Sequence, residues 1–200
     1  MSRLRISLVG GIAVLVMLTC LRGSANAGTT GTSAGAYQAF TPRGVVALQV
    51  RSRSGYCWEG SITTPRRDAW RCLVGNRIYD PCLSSARRAG IVVCPDAPWL
   101  RTGAEIRLTK RLPKAYGNHR TASTRLEPWG LELYGGRRCV FASGTTEVVQ
   151  GQRLNYFCGA SSREGLWGRP DRAIEPWTIL TAPLDAKELT KRAQIRRAWM

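Results

Sequence analysis

Seven cysteines, one histidine and thirteen acids are the residues of this chain with the widest chemical range, and their spacing limits what they can do. Cys20 lies in an apolar run near the start; Cys57, Cys72, Cys82, Cys94, Cys139 and Cys158 follow. A zinc site draws on short Cys-x2-4-Cys pairs or neighbouring histidines. The closest spacing here is Cys72 to Cys82, and the only histidine is His119, so no metal and no other cofactor is expected. A Cys-His nucleophile needs a thiolate beside its base, which oxidised cysteines and a lone histidine do not supply. Neither a nucleophile elbow nor a glycine-rich phosphate loop is read in the chain.

Two-carboxylate chemistry, as in glycoside cleavage, survives these exclusions. Glu59, Asp68, Asp80 and Asp96 are the acids nearest the cysteine-bounded segment. Nothing in their spacing marks a pair, and an acid among many arginines ordinarily makes an ion pair. No catalytic residue is therefore assigned.

The basic residues are more informative. The net charge is +17, and the three arginines of residues 1–27 leave +14 for the remainder. Only Lys110, Lys114, Lys187 and Lys191 are lysines. Arginine grips carboxylates and phosphates with a planar fork and stacks on aromatic rings, which suits anionic polymers. The pairs Arg66-Arg67, Arg87-Arg88, Arg137-Arg138 and Arg196-Arg197 are dispersed along the chain. Neighbours in a strand point to opposite faces, which argues against one flat nucleic-acid patch. Among the tryptophans, Trp167 in EGLWGRPDR lies between glycines and a proline. That context predicts an exposed turn, with Arg169 and Arg172 beside it. Trp167, Arg169, Arg172 and His119 are the candidate ligand-binding residues, the last in the long strandless stretch KAYGNHRTASTRLE.

These side chains need a scaffold. Arg3 and Arg5, the apolar run from Ile6 to Leu21 and the small-x-small site Ala25-Asn26-Ala27 predict a signal peptide over 1–27. Export then turns the remaining six cysteines into three expected disulfides. Sequence alone does not choose among the pairings; local ones are favoured, Cys139 with Cys158 first, then Cys57 with Cys72 and Cys82 with Cys94. Residues 28–43 read as a flexible arm, and 44–200 as a single disulfide-stabilised β domain. Short apolar runs broken by Gly, Pro or Asn predict an all-β fold, mostly antiparallel, a sandwich or barrel. At most one short helix is expected, over Pro65 to Leu73. Gly135-Gly136 predicts a tight hairpin. Ala193, Ile195 and Trp199 fall on one face at period two, which makes the C-terminal segment a strand with Arg197 as the exception. The Pro-Trp pairs at 128 and 176 each read as a strand's start.

The residues YCWEGSITTPRRDAWRC, GNRIYDPC, VVCP, PW, RRCVF and RLNYFCG, in that order, resemble an uncharacterised secreted Cys/Trp-rich domain of actinobacterial-type exported proteins, over roughly Gly55 to Trp199. The resemblance implies export, disulfides and a compact domain; with no activity assigned to that family, it carries over no site residue. The expectation is an exported protein, extracellular or in the cell envelope, that binds an anionic polymer or glycan without catalysis. A carbohydrate-active hydrolase using paired carboxylates, and an inhibitor or effector-like protein that binds another protein, are the alternatives. Nucleic acid is not an expected partner, and no transmembrane segment is expected after signal cleavage.

Overall fold

The alternation of apolar and polar residues emerges as strands throughout the computed structural model, which describes residues 31–64, 66–114, 127–143, 146–159 and 163–200. The fold is all-β, with no helix among the described residues. A short β1 (Ser33–Gly35) is followed by β2 (Gln49–Gly60), β3 (Ala69–Val74), β4 (Arg77–Ser85), β5 (Arg88–Pro95) and β6 (Thr102–Leu108). These last five strands close into a barrel. Strand β2 is long enough to serve two neighbours: Gln49 to Gly55 pairs in parallel with β6, and Tyr56 to Gly60 pairs antiparallel with β3.

A second sheet holds β7 (Gly130–Leu133), β8 (Arg138–Phe141), β10 (Gln152–Phe157), β11 (Glu164–Asp171), β12 (Thr178–Pro183) and β13 (Lys191–Trp199), with β9 (Val148–Val149) beside β10. Because β13 also pairs with β7, this sheet returns on itself. Gly135 and Gly136 both have positive φ in the β7–β8 hairpin, as their sequence predicts. The Pro-Trp pairs at 128 and 176 immediately precede β7 and β12.

Each sheet encloses its own apolar cluster. Inside the first barrel, the disulfides Cys57–Cys72 and Cys82–Cys94 pack with Trp70, Val92 and Ile106. Inside the second, Cys139–Cys158 packs with Leu131, Leu133, Tyr156, Leu166, Ile179 and Ile195. All three local pairings are the expected ones. Between the sheets lies a third cluster: Ala69, Leu83 and Val93, in register across β3, β4 and β5, meet Tyr37, Ala39 and Trp129. A row on the outer face of the first barrel is thus buried by the segment after β1 and by Trp129, with Phe141 and Trp199 of the second sheet packed against the same cluster. Arg66 pins this seam, donating from Nη1 to the carbonyl of Tyr37 at 2.7 Å while both Asp68 oxygens hold its other nitrogens.

Two expectations are corrected. Where a helix was predicted over Pro65 to Leu73, Ala69–Val74 is a strand between β2 and β4; Ala69, Trp70 and Cys72 are buried, and the local cues for a helix yield to that two-sided pairing. The segment expected as a flexible arm is docked over its described part. β1 runs parallel to β13, Thr32 Oγ1 donates to the Ile195 carbonyl at 2.6 Å, and Tyr37 and Ala39 are buried. Small polar residues need not enter a core to add a strand to an open edge, because backbone groups do the pairing. The signal-peptide region lies outside the described residues.

Candidate functional site

Exposed arginines and half-buried indoles gather where β13 changes phase. Ile195 and Ala198 are both buried although three positions apart. A bulge between Ile195 and Arg197 accounts for this: Ile195 opposes Leu133, and Arg197 opposes Glu132, leaving Arg196 as the extra residue. Arg196 and Arg197 consequently both lie on the outer face, and both are exposed. The same shift moves Trp199 off the face of Ala193 and Ile195 and brings it to Trp99, ring centroids 5.6 Å apart. This corrects the period-two reading of the C-terminus, in which Trp199 shared the core face.

Arginines flank this indole pair. The Arg138 guanidinium stands 5.8 Å from the Trp99 ring centroid, and that of Arg197 stands 5.7 Å from Trp199. Beside them is Glu132, on β7 between core residues Leu131 and Leu133 and therefore pointing outward, yet 1% exposed. Arg196 Nη2 pairs with its Oε1, and Arg138 Nε lies 3.4 Å from its Oε2. The arginine side chains are 54% and 46% exposed, so they form the lid over the carboxylate. Two guanidinium groups pair with the one carboxylate and a third, Arg197, stands opposite it in register, so the patch keeps a net positive charge. Such a surface can hold an anion: planar forks engage oxyanions in pairs of hydrogen bonds, and the indoles supply apolar contact.

The residues picked out by sequence are distributed differently. Trp167 is fully buried, not exposed on a turn. It belongs to β11, in register with Leu154 and Leu180, and packs against Leu154 and Ala182, with Leu184 and Leu189 of the β12–β13 connection against the same cluster. Gly165 is a point of close approach, where a Cβ would come within 2.2 Å of Leu154 Cδ1, while Gly168 takes a positive φ at the irregularity that follows Trp167. Arg169 and Arg172 do converge, on Glu127 at 3.5 and 4.0 Å, and the aromatic partner of Arg172 is Trp177, 4.7 Å away. His119 lies outside the described residues. Neither Trp99 nor Glu132 carried a sequence signal for this site; Arg196-Arg197 was visible as a pair.

Of the four acids considered for hydrolysis, Glu59 and Asp80 do approach each other, around Arg71. Arg71 Nη1 lies 3.0 Å from Glu59, and its Nε lies 3.9 Å from Asp80. The Trp58 ring stacks against the same guanidinium at 5.4 Å and is partly exposed. Asp80, however, has a side chain only 1% exposed. It accepts hydrogen bonds from Ser61 Oγ, from Thr63 Oγ1 at 2.9 Å and from the Ile62 amide at 3.2 Å. Burial raises its pKa more than these donors and Arg71 lower it. This carboxylate is saturated and closed to a substrate, and its role is to hold the Ser61–Thr64 loop. Asp68 pairs with Arg66, and Asp96 accepts from Thr102.

Gly31-Thr32-Ser33-Ala34-Gly35 does have the Gly-x-Ser-x-Gly spacing, contrary to the expectation that the chain carries none. It is drawn out into β1 rather than bent into a strand-to-helix elbow. No group of three or more His, Cys, Asp or Glu suited to a metal occurs among the described residues, and no helix long and apolar enough to cross a membrane occurs among them. Comparison with protein-family models, curated proteins and solved structures finds no match.

Proposed function

We propose that this chain is an exported, disulfide-stabilised binding protein whose surface at Arg138, Arg196, Arg197, Trp99 and Trp199 holds an anionic polymer of the cell envelope. The observation that carries the reading is the clustering of three exposed arginines with two indoles in contact, where Arg138 and Arg196 also cover one buried carboxylate. Supporting it are the net charge of +14 outside residues 1–27, which favours encounter with polyanions, and three disulfides, a feature of oxidising compartments. Ion pairing of Glu59, Asp68 and Asp80 favours binding over hydrolysis.

The test is retention of the oxidised protein on isolated cell walls, an immobilised polyanion and a neutral glycan, at low and high salt. Binding to the walls and the polyanion at low salt is expected, with release at high salt, because exposed charges are screened over about 8 Å at physiological ionic strength. The double variant Arg196→Ala/Arg197→Ala should lose most of this retention. Equal retention of the variant, salt-resistant retention, or none would refute the proposal.

A further inference from the structure

Glu132 occupies an unusual position for an acid: the outer face of a strand, where water would ordinarily solvate it, yet it is sealed at 1% exposure. The seal consists of Arg138 and Arg196, which themselves remain about half exposed. A carboxylate withdrawn from water requires well-placed cationic partners, so Glu132 favures those conformers of the two arginines that cover it. Each arginine of the patch has a fixed neighbour: Arg138 has Glu132 and Trp99, Arg196 has Glu132, and Arg197 has Trp199. Long side chains that are ordered before a ligand arrives lose less freedom when it binds.

We propose that Glu132 is a positioning residue of the anion-binding surface: it pre-orders Arg138 and Arg196 to receive oxyanion groups spaced along a polymer. This rests on the reading of that surface as the binding face. Simple charge counting and this role predict opposite signs. Glu132→Gln makes the protein more positive by one unit, so a purely electrostatic surface would bind a polyanion more tightly. If Glu132 orders the arginines, binding weakens.

The experiment measures the affinity of the folded, oxidised protein for long-chain inorganic polyphosphate at one fixed salt concentration. Glu132→Gln is compared with wild type and with Asp185→Asn, which adds the same charge at an exposed position on the β12–β13 connection. The expected result is binding about tenfold weaker for Glu132→Gln, with Asp185→Asn equal to wild type or slightly tighter. Binding by Glu132→Gln as tight as by Asp185→Asn overturns the positioning role while leaving the surface itself intact. Arg196→Lys provides a second route should Glu132→Gln fail to fold. It keeps the charge without the planar fork and should bind several-fold more weakly; unchanged binding counts against the role. If Arg196→Ala/Arg197→Ala binds polyphosphate as wild type does, the surface reading fails, and the role of Glu132 fails with it.

Discussion

Replacing Asp80 by alanine tests whether the first barrel depends on a buried acid for the shape of one loop. The substitution removes the acceptor of two hydroxyl groups and one amide, from Ser61, Thr63 and Ile62, and takes one carboxylate from beside Arg71. Removing one partner of a buried ion pair typically costs about 3–5 kcal/mol. Arg71 retains Glu59 at 3.0 Å, which places the expected loss at the lower end, about 3 kcal/mol. Asp80→Asn keeps the shape and one acceptor oxygen, and should lose less, about 1 kcal/mol. The assay is chemical denaturation of the oxidised proteins followed by circular dichroism. The pH dependence supplies an independent sign. Burial raises the Asp80 pKa above its ordinary value, so between the unfolded value of about 3.9 and the raised one the folded state binds more protons. Its stabilising contribution is complete below the unfolded pKa and is lost as pH rises through the folded pKa. Asparagine does not titrate, so the stability gap between wild type and Asp80→Asn should narrow as pH rises from about 4. A gap that widens over that range, or an alanine variant within about 1 kcal/mol of wild type, would refute the reasoning.

Two further outcomes follow from the cores. Replacing Cys139 and Cys158 together by serine opens a link of sequence separation 19 and should lower the unfolding free energy by about 3 kcal/mol in denaturant titration. Trp167→Ala should destabilise by about 3–5 kcal/mol, since the side chain is fully buried. Its folded fraction should nevertheless bind polyanion as wild type does, whereas Trp199→Ala should weaken that binding; the opposite ranking in a retention assay would return Trp167 to the site.

The all-β class and the β7–β8 hairpin were legible because each is written locally, and the preference for local disulfides matched all three pairs although sequence alone does not choose among pairings. Period-two alternation, Gly135-Gly136 and cysteines at short separation are properties of single segments. β3 was misread because the cues around Pro65 and Gly75 suit a helix, and only the flanking β2 and β4 make Ala69–Val74 a strand. Trp167 was misread for a related reason. Glycine beside tryptophan signals a turn when the chain is viewed alone, and a close strand contact once Leu154 and the β12–β13 connection lie against it.

The candidate site shows the limit most clearly. Composition alone made this a strongly basic, arginine-rich chain with an even set of cysteines after its N-terminal apolar run, and alternation alone made it β. Which arginines meet was decided by the tertiary structure. The bulge at Arg196 exists only relative to β7, since an extra residue is extra only against a partner strand. That single insertion puts Arg196 and Arg197 on one face and turns Trp199 out to Trp99, which comes from the other sheet's half of the chain. Side-chain direction along an isolated strand follows from its sequence; register, bulges and what covers an outer face are relations between strands, and no single segment encodes them.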